Sequence, residues 1–283
     1  MHIVHFNNQF EVNDCIQADS GEEYELQEQI SFGGNGVVHR CVHTSSGEEY
    51  AVKFQIVLKR NRVKRFRREL SFMKTVRHNQ LMNALDEGIV EARRKQGRKT
   101  RLPFVVMPLA EENLATFVKT AHSISYEAYI GQFLGLSAAL AEMHSSAIHR
   151  DIKPENILVR GTTWYLADFG LCDYVDDESL LDLTVDGELI GPKLWMSPEA
   201  INAGLGNLDL IGPGSDVFQM ASVFWFVVTG RHPAGCITQN DWSGPEELYS
   251  LFRSCLSHNP TTRPQNGTEL LEQLTIAIES AMT

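Results

Sequence analysis

No apolar run in this chain is long enough to cross a bilayer. The longest, Val217 to Val228, is broken by Gln219 and Ser222, whereas a spanning helix needs about 20 apolar residues. The N-terminus has no basic-then-apolar leader, so no secretory signal is expected. Cysteine is scarce, and Cys15, Cys41, Cys172, Cys236 and Cys255 stand singly. That spacing argues for reduced thiols in a cytosolic compartment and against a disulfide framework or a zinc site. The ten histidines show no ligand spacing either, and the chain carries neither low-complexity tracts nor internal repeats. The expectation is a soluble, cytoplasmic globular protein that does not contact membranes. Its 283 residues suffice for one large domain or for two small lobes sharing an interface.

Basic residues are lacking in the C-terminal part. Residues 108–283 hold 8 Lys+Arg against 23 Asp+Glu, while residues 1–107 hold 17 against 13. Thirteen of the 25 basic residues fall in two stretches, Lys59–Arg68 and Arg93–Arg101. A polybasic run can mark a nucleic-acid or anionic-lipid contact. Here the net charge of −11 opposes long-range attraction to nucleic acid, so a solvated surface or an internal partner is expected and no nucleic-acid partner.

The organising stretch runs from Ile148 to Gly170. Ile157-Leu158-Val159 and Trp164-Tyr165-Leu166 are strand-type runs on either side of a turn containing Gly161, which predicts a β-hairpin. Asp151, Lys153 and Asn156 precede the hairpin and Asp168 follows it, so folding brings all four to one edge. Two carboxylates, an amide and an ammonium suit a hard cation and a phosphate.

His149-Arg150-Asp151 with Asn156, followed by Asp168-Phe169-Gly170, resembles the catalytic loop and metal-binding motif of eukaryotic-type protein kinases. The resemblance implies that Asp151 orients a substrate hydroxyl and accepts its proton. It also implies that Asn156 and Asp168 hold Mg²⁺ and that Lys153 neutralises the γ-phosphate of ATP.

The rest of the chain extends the likeness. Ile30 to Arg40 is a glycine-rich turn between two strand-like runs; an ordinary hairpin has the same look. It resembles the family's phosphate-covering loop through Gly33, Gly36 and Val38, with Ser31 in place of the first glycine. Lys53 interrupts an apolar strand, Glu49 to Ile56, where it could simply reach out at a sheet edge. Sixteen residues on, Glu69 shares a helix face with Phe66, Leu70 and Met73. A buried carboxylate costs several kcal/mol unless paired, and Lys53 is the natural partner. The resemblance implies the same pair, with Lys53 on the α- and β-phosphates. It further implies adenine contacts from Val38, Ala51, Met107 and Leu158, and from the backbone of residues 108–110, with Ala110 supplying an N–H.

Tyr126 to Ser146 reads as a core helix leading into the catalytic loop. Ser197-Pro198-Glu199 resembles the family's Ala-Pro-Glu, with Arg263 matching the usual partner of Glu199. Ser215-Asp216 opens a helix apolar on all sides as far as Gly230, which implies a central buried helix. By resemblance, Asp216 fixes the catalytic loop from below. Thr268 to Met282 is a closing amphipathic helix.

The expected fold is therefore α+β and bilobal, of the protein-kinase kind. An extension over 1–23 leads, with a hairpin or packed arm in residues 1–20. A small β-rich lobe over 24–107 and a larger helical lobe over 108–283 follow. The expected activity is transfer of the γ-phosphate of Mg-ATP to serine or threonine of protein substrates, with autophosphorylation and a transient homodimer for it. Lys153 two residues past Asp151 is the serine/threonine pattern, while Pro192 with Trp195 looks more like a tyrosine kinase. A tyrosine or dual-specificity kinase and an ATP-binding scaffold remain alternatives. Between Leu171 and Glu188 lie seven acids, no base, and the candidate phosphosites Ser179 and Thr184. By resemblance, a phosphate on this segment would engage Arg150; the seven acids could also be drawn toward the basic Lys59–Arg68 stretch, so that phosphorylation reinforces an existing attraction, or both charge runs are solvated surface.

Overall fold

The computed structural model describes residues 1–6, 8–94, 97–174, 194–207 and 209–281. They divide into two compact units, Met1–Arg77 with Met82–Ala110, and His78–Leu81 with Glu111–Thr283.

The first unit is a sheet with one helix. Its strands are β1 (His2–His5), β2 (Asn8–Glu11), β3 (Cys15–Gln17), β4 (Glu23–Phe32), β5 (Gly36–His43) and β6 (Glu49–Gln55); helix α1 (Arg60–Thr75) precedes β7 (Asp86–Arg94) and β8 (Lys99–Pro108). The sheet order is β1-β2-β7-β8-β6-β5-β4-β3, with every pair antiparallel. β1 also lies against β5, and β3 against β7, so the sheet curls on itself. Alternation along each strand sends one face inward. Val52, Phe54, Leu102, Phe104 and Val106 meet Ile3, Phe10, Val12 and Ile16 in that interior. The first twenty residues thus form a hairpin and a third strand, and they supply part of the core.

Helix α1 buries Phe66, Glu69, Phe72 and Met73. Phe72 is buried and Leu70 only half-buried, so the buried face is rotated slightly from the one its spacing suggests.

The second unit is mostly helical. Short β9 (Glu112–Asn113) leads into α2 (Leu114–Ala121) and α3 (Tyr126–Met143); β10 (Ala147–Ile148), the hairpin β11 (Ile157–Arg160) with β12 (Thr163–Leu166), and β13 (Asp173–Tyr174) follow. Then come α4 (Pro198–Gly204), α5 (Pro213–Thr229), α6 (Glu246–Cys255) and α7 (Gly267–Ala281). The predicted hairpin is present, with Arg160 opposite Thr163 and Gly161 at φ +57° in the turn, a conformation glycine takes without penalty. Helix α5 is buried around its circumference, from Ser215 to Val227, and Phe224 stacks on Phe133 of α3 with ring centroids 3.9 Å apart. Gly267 lets α7 approach α3: a Cβ there would lie 2.3 Å from Ala141 N.

One buried ion pair ties α4 to the loop before α7. Arg263 donates Nη1–H to Glu199 Oε1 at 2.8 Å and Nη2–H to Oε2 at 3.0 Å. Ser215 Oγ donates to Oε1 at 2.7 Å, and both charged residues are buried. Burial pushes the Glu199 carboxyl up, but the hydrogen bonds from Arg263 and Ser215 outweigh it and hold the group below its ordinary value. A carboxyl lowered in this way contributes stability above its unfolded pKa and loses it as pH falls through the folded one. Arg263→Ala leaves an uncompensated buried carboxylate and is expected to cost about 3–5 kcal/mol. Measured as urea midpoints, the gap between wild type and variant should narrow as pH falls through the carboxylate range, because protonation relieves the variant and harms the wild type.

Candidate active site

In the first unit the outward face of the sheet carries the sequence-predicted residues. Val38 lies opposite both Ser31 and Lys53, Lys53 opposite Val105, and Ala51 opposite Met107. Directly paired residues of an antiparallel sheet share a face, so Ser31, Val38, Ala51, Lys53 and Met107 stand on one side. Ala110, half-buried, ends the unit. Lys53 Nζ donates to Glu69 Oε1 at 2.6 Å, and Glu69 is buried beneath it. The helix carboxylate and the strand ammonium resolve each other's burial.

The glycine-rich turn joins β4 to β5, and Gly33 N–H donates to Gly36 O at 2.9 Å. Asn35 O accepts from Ile56 N–H and Val57 N–H, which backs the turn onto the end of β6. None of Ser31, Gly33, Gly34 and Gly36 has positive φ. The serine is therefore accommodated; a Cβ on Gly33 or Gly34 would meet nothing within 4 Å, and Gly36 is the glycine that space requires. A Cβ at Gly36 would lie 2.2 Å from Phe54 O.

In the second unit the catalytic-loop residues converge. Asp151 is buried, and its carboxylate accepts from Lys153 Nζ at 3.1 Å on Oδ1 and 3.0 Å on Oδ2. Asn156 Nδ2 donates to Asp151 O and to its Oδ2, each at 2.8 Å. Asn156 therefore closes the loop with both amide protons. Its Oδ1, the hard oxygen donor of the side chain, accepts no hydrogen bond among the described residues. Burial pushes the Asp151 carboxyl above its ordinary value, the charge of Lys153 opposes that, and nearby Asp168 adds to it. Asp168 sits at φ +62° and ψ +71°, a left-handed conformation that costs a non-glycine residue about 1–2 kcal/mol. Phe169, the next residue, is buried beside the His149 ring at 5.5 Å. Leu158, half-buried on β11, pairs with Tyr165 and Asn113.

Beneath the loop Asp216, fully buried, accepts His149 N–H at 2.6 Å on Oδ2 and Arg150 N–H at 2.8 Å on Oδ1. Two partners in this floor carry no motif signal. His144 Nδ1 accepts Gly267 N–H at 2.9 Å, which leaves Nε2–H to donate to Asp216 Oδ2 at 3.1 Å. Gln219 Oε1 accepts Ile152 N–H at 3.0 Å. Gln219 could have been found, since it stands three residues after Asp216 and breaks an apolar helix on the same face. His144 lies at a helix end with no local pattern around it.

Arg150, at φ +68°, ion-pairs through Nη2 with Asp173 Oδ2, and β10 pairs with β13 to bring the two together. Asp173 is one of the seven acids between Leu171 and Glu188. Ser179, Thr184 and Pro192 lie outside the described residues.

Residues 24–275 match the protein kinase domain family. Among curated proteins, the chain is 33% identical over 153 residues to a "Probable serine/threonine-protein kinase PkwA" of Thermomonospora curvata, a match covering 50% of this chain and 19% of that protein. It is 28% identical over 220 residues to a "Probable serine/threonine-protein kinase" of Dictyostelium discoideum, covering 72% of this chain and 41% of the relative. Bifidobacterium longum has another, "Probable serine/threonine-protein kinase PknB", 29% identical over 173 residues, 60% of this chain and 24% of the relative. The chain thus spans less than half the length of these relatives. With a β-rich first unit, a helical second unit, and the family matching across most of its length, the chain belongs to the eukaryotic-type protein kinase family.

Proposed function

We propose that this chain is a serine/threonine protein kinase domain that transfers the γ-phosphoryl group of Mg-ATP to protein hydroxyls. The boundaries proposed for it are an extension over 1–23, one lobe over 24–107 and a second over 108–283. The observation that carries the reading is the double grip of Asn156 on Asp151. It fixes the Asp151 carboxylate while leaving an amide oxygen for a cation.

Asp151 accepts the proton of the attacking hydroxyl as its oxygen bonds to the γ-phosphorus and the bond to the β-phosphate oxygen breaks. A carboxyl raised by burial is the better base for that task. Lys153 neutralises Asp151 at rest and would turn to the charge of the transferred phosphoryl group. Lys53, held by Glu69, anchors the α- and β-phosphates, and Ser31, Gly33 and Gly36 cover them. Val38, Ala51, Met107, Ala110 and Leu158 contact adenine. The donor set fits Mg²⁺, since an amide oxygen and a carboxylate are hard ligands; Asn156 and Asp168 would hold the ion, which offsets phosphate charge when bound. Serine/threonine specificity is supported by Lys153 and by the names of the relatives. The substrates are proteins, and autophosphorylation between transiently paired copies is part of the proposal. No helix among the described residues is long and apolar enough to cross a membrane, and a cytoplasmic location is proposed from the scattered spacing of the five cysteines.

Arg150 is the residue that, in this family, an activating phosphate engages. Here Asp173 holds it, which favours activity independent of phosphorylation. The remaining acids of the Leu171–Glu188 stretch lie outside the described residues.

Two experiments test this reading. Labelled Mg-ATP with a generic acceptor protein should give phosphoserine or phosphothreonine. Asp151→Asn should lower transfer about 10²–10⁴-fold, and Asp168→Asn should abolish it. Label on tyrosine would favour the Pro192 signal, and binding of ATP without transfer would favour a scaffold. Separately, Ser179→Ala/Thr184→Ala should keep most of the wild-type rate, whereas Asp173→Asn should lower it at least tenfold with the fold intact by circular dichroism. Collapse of the double variant would show that phosphate, not Asp173, holds Arg150.

A further inference from the structure

The family match begins at residue 24, yet β1, β2 and β3 precede it, and β1 reaches the glycine-rich turn. His5, at the end of β1, is 3% exposed. Its Nε2 lies 2.7 Å from Gly33 O. A carbonyl oxygen only accepts, so Nε2–H is the donor. Nδ1 of the same ring is buried and has no partner among the described residues. Phe6, which follows, packs edge-on against Phe32 at 5.6 Å, and Phe32 is the last residue of β4 before the turn.

Stability alone does not account for His5. It occupies a buried position of β1, alternating with buried Ile3, where an apolar side chain would fill the same space without burying polar nitrogens. Sequences break such local rules mainly where function asks for it. The hydrogen bond supplies the reason. A trans peptide points its N–H opposite to its carbonyl, so fastening Gly33 O to His5 turns Gly34 N–H away from the hairpin. That N–H has no partner among the described residues. With Asn35 O held on the other side by Ile56 and Val57, the turn is pinned at both flanks while the Gly34 N–H stays free for an anion.

We infer that His5 is a positioning residue for ATP binding, and that the N-terminal hairpin is a built-in brace which pre-sets the glycine-rich turn with Gly34 N–H directed at a phosphate oxygen. This rests on the proposal that the turn covers the phosphates of ATP. A braced turn has less freedom to lose when nucleotide binds, so the brace acts on affinity more than on the chemical step.

Three forms of this chain test it: wild type, His5→Leu, which keeps bulk without a donor, and His5→Gln, whose amide restores one. Two readouts are taken, amide hydrogen exchange over residues 33–36 without nucleotide, and Mg-ATP affinity by calorimetry alongside kcat at saturating ATP. His5→Leu should raise the exchange rate and weaken ATP about 5–10-fold, the weight of one hydrogen bond, with kcat changed less than about twofold. His5→Gln should recover most of both losses. Wild-type values in His5→Leu, or no recovery in His5→Gln, would overturn the inference. A wild type whose exchange responds to His5 but which binds no Mg-ATP would overturn it through the reading beneath it, and the exchange data would show which of the two had failed.

Discussion

The second unit depends on one buried carboxylate. Asp216, without solvent exposure, receives the N–H groups of His149 and Arg150 and the ring N–H of His144. A carboxylate so deep is tolerable only when donors surround it, and supplying them dictates the backbone above. Arg150 is pushed to positive φ, and the chain then turns so that Asp151 meets Lys153 and Asn156. The position of the proposed base is thus set from below by the buried helix α5. The His149 ring links this floor to the chain beyond β12: Asp151 N–H donates to its Nδ1, and its Nε2–H donates to Ala167 O, one residue before Asp168.

Much of this was legible because its signals are local. The hairpin carrying Ile157 to Leu166, the buried helix from Ser215, and the pairing of Glu199 with Arg263 all come from patterns readable within a few residues or from whole motifs. Lys53 and Glu69 were paired on physical grounds, a charge in an apolar strand and a charge on an apolar helix face. Contacts between distant stretches, with no periodicity to announce them, could not be read. His144 finds Asp216 from 72 residues away, and His5 finds Gly33 from 28. Nor could the need for Gly36 be read, since it arises because the carbonyl of Phe54 leaves no room for a side chain.

The lopsided charge of the chain gains a partial explanation. The acid-rich stretch after Asp168 has no base of its own, and its Asp173 is held to Arg150 beside the proposed base. In the first unit the addition is structural: strands preceding the family's boundary fill the interior of the sheet with Ile3, Phe10 and Ile16 and bring His5 to the glycine-rich turn. The first feature bears on Arg150 and the second on Gly33, each from outside the motif that identifies the residue.

The central claim is that a desolvated Asp151, moderated by Lys153, is the base. The pH dependence of phosphoryl transfer to a serine peptide at saturating Mg-ATP tests it most directly, compared between wild type and Lys153→Met. Burial raises the Asp151 pKa and Lys153 lowers it, so the wild-type acid limb should lie above the ordinary aspartate range. Loss of the ammonium disfavours the carboxylate, so the variant's limb should move to higher pH, beyond any fall in its maximal rate. An acid limb that stays in place or moves to lower pH would contradict the account.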